Sequence, residues 1–545
     1  MKKLGFLACL LALPFAVAPA AAEDRPPPKL IVAISVDQFS ADLFAQYRQH
    51  FTGGLGRLSG GIVFPSGYQS HNMTETCPGH STILTGDHPA RTGIVSNEWY
   101  DQSVARPDKK VYCSEDPSVP GSSSDHYTVS THFLKVPALG DWMKRANPQS
   151  RSVAVAGKDR AAIMMGGYDT DQRWYWTGKT FGGAGKGAPA AAVGEIDGII
   201  AAALAQPRAP FAVPDVCVPH DRAVSVAGGG GPVGTGRFAR AAGDSRGFRT
   251  SPELDVVTLE LASRIRSEMH LGEGPAPDLL AVGVSATDYV GHTYGTEGVE
   301  MCIQLMALDR ALGDFFAKLD ASGVDYVVML TADHGGNDIP ERENQHAVPG
   351  AGRTADELAP AAMGKVLAAK LGLPGPVLLA TAAFGDFYID RNLPPAARAK
   401  ALAAAVAAYR AHPQVAAVFT HEELAAASAP SGPPETWALL QRAKASFDPE
   451  RSGDFVVQLK PRVTPIFDTT HAYVATHGSP WDYDRRVPIL FWRKGMVPFE
   501  QPLSVETVDI MPTLAALIHL PLPPGAVDGR CLDLDEGPGS TCPAQ

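Results

Sequence analysis

The sequence predicts an α/β fold built on a doubly wound, mostly parallel sheet. Three observations lead there. Four segments, "KLIVAISVD", "DLLAVGVSATD", "DYVVMLTADHGG" and "RVPILFW", contain near-continuous apolar runs rather than alternating ones. Strands of that kind are buried on both faces, the condition of a parallel sheet flanked by helices. Helical patterns lie among them, notably "VVTLELASRIRSEM", "VEMCIQLMALDRALGDFFAKLDASG" and "AMGKVLAAKLG". Alternation of strand and helix points to the same class. Three of the runs close on chemistry: Asp37, Asp288, and Asp333 with His334. Ligands of such sheets bind beyond the carboxyl ends of the strands, so these endings mark where a site would lie.

The first 22 of the 545 residues read as a processing signal: "MKK", an apolar stretch "LGFLACLLALPFAVA", and a small-residue cleavage site ending at Ala22. Cys9 leaves with it. A lipoprotein reading of "LACL" is disfavoured because Cys9 sits inside the apolar run. The apolar stretch is short for a spanning helix, and no later segment is apolar enough to be one. The protein is therefore expected to be exported, periplasmic or secreted. Six cysteines remain, Cys77, Cys113, Cys217, Cys302, Cys531 and Cys542. In an oxidising compartment an even number favours disulfides, with 15 pairings open. Proximity selects Cys531–Cys542 first and Cys77–Cys113 next.

Composition is globular, with 45% hydrophobic and 19% charged residues. The formal net charge of -11 argues against nucleic-acid or anionic-membrane binding as a primary role. An anionic substrate would need a locally positive site, such as metal ions. We expect a catalytic α/β core over 23–340 with a loop-rich insertion at about 185–250. An inserted cap subdomain of Ala-rich helices follows over 341–465. Residues 466–545 complete the core and supply a tail. The run "AGGGGPVGTG" lacks the preceding strand and the following Lys-Ser/Thr of a phosphate loop.

Single motifs leave more than one reading open. Asp288 and His292 in "TDYVGH" stand at i, i+4, on one helix face, as a metal pair or a surface pair. Asp333 and His334 at a buried strand end are ligands or an internal salt bridge. Asp37 is a ligand or the N-cap of "QFSADLFAQY". His477 is a ligand or a plain loop histidine. Together they make two three-ligand sets, each with an open position: Asp288, His292 and His477, and Asp37, Asp333 and His334. Paired zinc ions about 4 Å apart suit in-line phosphoryl displacement. Mixed Asp/His ligation favours zinc while admitting manganese or cobalt.

An ordered series of segments then resembles the alkaline phosphatase superfamily, which also holds nucleotide pyrophosphatases and sulfatases. The series is "VDQF", "TETCPGHSTILTGDHPARTGIVSNEWYD", "TDYVGHTYG", "TADHGG", "HGSPWDYDRRVPILF" and "VDIMPTLAALIHLPLPPGAVDGR". It is most similar to the dizinc alkaline phosphatases with a threonine nucleophile, the PhoK/PafA type. The resemblance implies Thr76 as nucleophile and zinc-coordinated oxygen. It implies Asn97, Lys158 and Arg160 as binders of the phosphoryl oxygens, and the two ligand sets above for two Zn2+ per chain. Additional Ca2+ is compatible with it, with no residues that specify it. The implied activity is hydrolysis of small phosphate monoesters through a phosphothreonine, by a monomer or weak oligomer. Without the resemblance, "KDR" around Lys158 is a solvated charge run. Cys77 is intrinsically the better nucleophile, yet oxidation removes it, and Pro78 with no following Arg departs from the sulfatase signature. Pro78 and Gly79 are expected to form a turn, with a helix beginning behind it in "HSTILTG". The alternatives are a phosphodiesterase or nucleotide pyrophosphatase on the same fold, a sulfatase, and a non-catalytic zinc or phosphate binder. Lys158 and Arg160 favour monoesters among them.

Overall fold

The structure is a computed structural model that describes residues 26–186, 190–471, 473–537 and 539–543. The processing signal expected at 1–22 lies outside the described residues. Ten strands form the central sheet: β1 (Leu30–Val36), β2 (Ile62–Tyr68), β3 (Ser152–Ala156), β4 (Gln172–Trp176), β5 (Phe181–Gly185), β6 (Asp278–Val284), β7 (Tyr326–Thr331), β8 (Arg486–Arg493), β9 (Phe499–Glu500) and β10 (Val505–Glu506). Their order is β9-β2-β8-β7-β1-β6-β3-β4-β5, with β10 also paired to β2.

β1 lies between β7 and β6, parallel to both, with Ser35 opposite Thr331 and Val36 opposite Val284. That register brings the carboxyl ends of three strands side by side. Every residue of β1, β6 and β7 is buried, which is why each reads as an unbroken apolar run. Alternate residues of β1 serve the two faces. Val32 and Ile34 pack with the helices Ala41–Tyr47, Pro252–Glu268 and Val299–Ala321. Ile31 and Ala33 pack with the helices Thr76–Thr85, Asp159–Gly166 and Ile510–Leu517. The sheet is mostly parallel, but β8 runs antiparallel to both β2 and β7. An apolar run reports burial on two faces and carries no information about strand direction.

Two expected insertions hold more regular structure than composition suggests. Within the loop-rich stretch 185–250, Ala191–Leu204 is a helix that buries Val193, Ile196 and Ile200. Those positions follow a helical spacing that the neighbouring glycines obscure. Between 352 and 464 the expected helices are joined by a four-stranded antiparallel sheet, in the order Leu378–Leu379, Gly385–Ile389, Phe455–Leu459, Val415–Thr420. It shares a core with the helices Pro360–Leu371 and Pro395–Ala411. These strands are short and one is Ala-rich, so their pattern reads as continuation of the helices.

Three disulfides form. Cys77–Cys113 and Cys531–Cys542 are the pairs chosen from proximity. Cys217–Cys302 joins the insertion to the long helix Val299–Ala321. No helix among the described residues is long and apolar enough to cross a membrane.

Candidate active site

Asp37 directly follows β1. It does not cap the next helix: Ser40 does, its hydroxyl accepting from Leu43 N at 3.1 Å. Asp288 and His292 stand on the helix Ala286–Tyr294, which opens beyond β6. Asp333 and His334 lie just past β7, and His477 lies on the loop before β8. All six side chains are buried, so a surface pair at Asp288 and His292 is excluded. They form two groups, Asp37 with Asp333 and His334, and Asp288 with His292 and His477. Within each group the ligand atoms lie within 4.8 Å of one another. The His334 and His477 rings stack with centroids 3.6 Å apart, joining the groups.

The donors fit metal ions. Three imidazoles direct Nδ1 at backbone carbonyls: His334 at Gly335 O (2.8 Å), His292 at Ala475 O (2.9 Å) and His477 at Thr74 O (2.8 Å). This places the proton on Nδ1 and the lone pair on Nε2, the arrangement of ligating histidines. The Nε2 atoms of His292 and His477 then face Asp288 Oδ1 at 3.3 and 3.4 Å. His334 Nε2 faces Asp333 Oδ2 at 3.4 Å and Asp37 Oδ1 at 3.5 Å. A lone pair facing a carboxylate oxygen is not a hydrogen bond. His334 Nε2, Asp333 Oδ2 and both Asp37 oxygens are buried without a hydrogen-bond partner. Orphaned buried polar atoms are costly, and a cation among them removes the cost. Burial holds His334 down at about 3 and lowers His477, keeping both rings neutral as ligation requires. Burial raises the Asp37 carboxyl well above its usual range, with Asp333 adding to it and Lys158 opposing. At Asp288 burial acts the same way, but His292 and Lys158 outweigh it and hold that carboxyl well below.

The helix Thr76–Thr85 is buried at all 10 positions. It starts at Thr76, so Pro78 and Gly79 lie in its first turn rather than in a turn before it. Proline is tolerated there because its missing N–H would find no intrahelical partner. Gly79 is needed for close approach: a Cβ would stand 1.9 Å from Asp333 O. Cys77 is consumed by its disulfide. Thr76 Oγ1 is 3.4 Å from both Lys158 Nζ and Arg160 Nη2. Lys158 Nζ also lies 2.7 Å from Asp37 Oδ2 and 2.5 Å from Asp288 Oδ2, touching a carboxylate of each group. The Asp37 contact is an ion pair without hydrogen-bond alignment, which is why that oxygen still counts among the orphans. Asn97 Oδ1 accepts from Cys77 N at 2.8 Å, and its Nδ2 has no acceptor among the described residues.

The "KDR" segment is no solvated run. Lys158 is buried, and Asp159 accepts from Tyr112 OH (2.8 Å) and Tyr127 OH (2.9 Å). Arg160 Nη1 in turn donates to Tyr112 OH at 3.2 Å. The structure thus brings all ten candidate residues together.

It adds residues that sequence reasoning passed over. Gln38 takes a left-handed backbone (φ 66°). Its backbone N donates to Asp333 Oδ1 and its side-chain Nε2 to Asp288 Oδ1, both at 3.1 Å, so one residue ties the two groups. Gly291 makes room for it, since a Cβ there would meet Gln38 Oε1 at 1.5 Å. The available signal was a second polar residue directly after Asp37 at a buried strand end. His80 Nδ1 lies 2.9 Å from Thr76 O and 3.0 Å from Asp333 Oδ2, linking the threonine's helix to a candidate ligand.

Residues 31–480 match the type I phosphodiesterase / nucleotide pyrophosphatase family. The chain is 57% identical to alkaline phosphatase PhoK of a Sphingomonas species over 95% of this chain and 93% of that protein. It is 52% identical to alkaline phosphatase PhoD of Zymomonas mobilis, over 95% and 90%. The crystal structure of alkaline phosphatase PafA superposes with a TM-score of 0.80 at 24% identity, covering 94% of this chain and 99% of that one. At that identity the last likeness speaks to the fold. The chain belongs to the type I phosphodiesterase / nucleotide pyrophosphatase family.

Proposed function

We propose that the protein is an exported, zinc-dependent alkaline phosphatase that hydrolyses small phosphate monoesters through a phosphothreonine at Thr76. The observation that carries this is the shared reach of Lys158 and Arg160 to Thr76 Oγ1, at 3.4 Å each, with Lys158 touching a carboxylate of each ligand group. Two relatives more than half identical are named alkaline phosphatases, which supports the same activity here. The three disulfides support an oxidising compartment.

Asp288, His292 and His477 would hold one zinc ion and Asp37, Asp333 and His334 the other. When bound, the two ions supply Lewis acidity and positive charge for in-line displacement at phosphorus. Thr76 Oγ1 gives up its proton and forms the new P–O bond as the ester P–O bond breaks, and the departing alkoxide takes up a proton, leaving a phosphothreonine and the free alcohol. Water then attacks the same phosphorus, releasing inorganic phosphate and restoring Thr76. Lys158 and Arg160 bring two positive charges to the non-bridging oxygens, and Arg160 offers a bidentate fork. Asn97 offers its free Nδ2, and the helix N-terminus at Thr76 adds its dipole. A monoester carries two charges on those oxygens and a diester one, so the paired cations favour the monoester.

The test is mass spectrometry of the enzyme trapped with phosphate at low pH. A phosphate on the peptide holding Thr76 is expected, and an unmodified Thr76 overturns the mechanism. A diesterase is the second reading, favoured by the family's own description. An aryl phosphate is expected to exceed an aryl phosphodiester in kcat/KM, and Arg160→Ala to hurt the monoester more. The opposite preference would support the second reading.

A further inference from the structure

Among the described residues, the cation of Arg249 beside Tyr289 has no carboxylate partner. The short helix Ser245–Arg249 is anchored by Phe248, which is 1% exposed and stacks on Trp176 with centroids 5.5 Å apart. Arg246 Nη2 donates to His471 O at 3.1 Å, hooking this helix to the loop that carries Tyr473 and His477. Between these two fixings Arg249 lays its guanidinium over the Tyr289 ring, Cζ 4.7 Å from the centroid. Lys158 Nζ lies 5.0 Å from the same centroid, so one ring meets both a phosphate-site cation and Arg249. Tyr289 follows Asp288 directly, and Tyr473 stacks on His292 at 4.5 Å and 18° while remaining 37% exposed.

Arg249 differs from its neighbours in being uncommitted. Lys158 faces Asp37 and Asp288, Arg160 faces Tyr112 and Thr76, and Arg246 faces a carbonyl. Among the described residues no carboxylate pairs with Arg249, and its Nε is buried without an acceptor. A half-buried guanidinium without an anion is unusual, because fork geometry and charge suit it to carboxylate or phosphate. Its place over the Tyr289 ring restrains the guanidinium in advance, which lowers the entropy lost on binding.

We propose that Arg249 binds a second anionic group, a carboxylate or further phosphate, on the leaving group of the monoester, with Tyr289 and Tyr473 as aromatic walls. The site is thereby selective for phosphate esters of acidic alcohols. This rests on the monoesterase reading above. The experiment compares kcat/KM for phenyl phosphate and 4-carboxyphenyl phosphate with zinc-loaded wild type, R249A, R249Q and R249K. Taking each variant's ratio of the two esters against wild type cancels their different leaving-group reactivity. The carboxyphenyl-to-phenyl ratio is expected to fall about tenfold in R249A and R249Q, the scale of one charge-assisted hydrogen bond. The loss falls mainly in KM, and R249K lies between. An unchanged ratio in both R249A and R249Q overturns the inference and leaves the phosphatase reading standing. Wild type inert toward both esters overturns the phosphatase reading and the inference with it.

Discussion

Two charge clusters among the described residues, one buried at the strand ends and one half-buried around His88, differ in whether their polar atoms are satisfied. Beside the threonine's helix, His88 has partners on both nitrogens: Nδ1 meets Asp528 Oδ2 at 3.1 Å, and Nε2 meets Glu506 Oε1 at 3.0 Å and Ser70 Oγ at 3.1 Å. Arg91 there reaches Asp87 Oδ1 at 3.0 Å and Asp528 Oδ1 at 3.3 Å. At the strand ends Lys158 Nζ stands 2.7 Å from Asp37 Oδ2 and His80 Nδ1 3.0 Å from Asp333 Oδ2, yet His334 Nε2, Asp333 Oδ2 and both Asp37 oxygens have no hydrogen-bond partner. Both clusters are rich in Asp and His, so residue type does not separate them. The closed cluster spends its charges on its own fold and ties Ser70 and the chain around His88 to the C-terminal segment. The open one leaves its lone pairs facing each other, a cost tolerated where a ligand relieves it. Unsatisfied atoms, rather than charged ones, therefore separate a site from a staple.

The widest way to sharpen the contrast is to remove the proposed nucleophile, which shares Lys158 with the open cluster. Thr76→Ala is expected to lower kcat on an aryl phosphate by about 10^4-fold and to abolish phosphothreonine. Its melting temperature should stay near wild type, and residual turnover within tenfold would break the assignment. Gly79→Ala comes next. Its Cβ falls 1.9 Å from Asp333 O, and overpacking of this kind costs about 1–3 kcal/mol. Displacing a ligand's backbone should also cut kcat, read from denaturant midpoints and turnover of the same sample. Gln38→Leu removes the Nε2 bond to Asp288 while keeping much of the bulk. Loss of such supporting bonds lowers metal affinity about 10–100-fold, measured by zinc competition with a chelator. Equal zinc affinity in variant and wild type would deny Gln38 its tying role.

The legible parts of this molecule are those whose signal lies within a few residues. β1, β6 and β7 announce themselves because burial on both faces forces apolar residues at every position, and their endings at Asp37, Asp288 and Asp333 stand out against that background. Of the candidate ligand histidines, His292 follows by spacing and His334 by adjacency, while His477 stands alone on a loop and joins them only through the fold. Illegible parts depend on what the chain meets elsewhere. Gly79 matters because of Asp333, and Gly291 because of Gln38; each partner lies some 250 residues away, and register decides the contact. Arg249 reads as surface charge until Tyr289 lies beneath it. The start of the threonine's helix is illegible because Glu75 gives no side-chain cap to mark it. His88 carried no signal either, since Glu506 and Asp528 come from the far end of the chain.

The smallest predicted effect is on the closed cluster, and its sign separates it from the open one. Burial opposes charge on His88, but hydrogen bonds to Asp528 and Glu506 outweigh it and lift the imidazole to about 10. Unfolding returns it to about 6.5. A group whose pKa is raised by folding stabilises the fold fully below its unfolded value, and that contribution fades as pH climbs through the folded one. His88 should thus contribute fully below about pH 6.5 and nothing above about pH 10. His88→Gln keeps the size and a donor but not the charge, so it should cost about 1–2 kcal/mol near pH 6. The gap to wild type should close as pH approaches 10. Urea midpoints of zinc-loaded wild type and H88Q at both pH values measure this, and the paired design cancels titrations common to both proteins. Zinc retention should be alike in the two, because both His88 nitrogens are engaged by partners outside the ligand groups. A gap that persists unchanged at pH 10 would show that His88 acts there by packing against Trp437 rather than by charge.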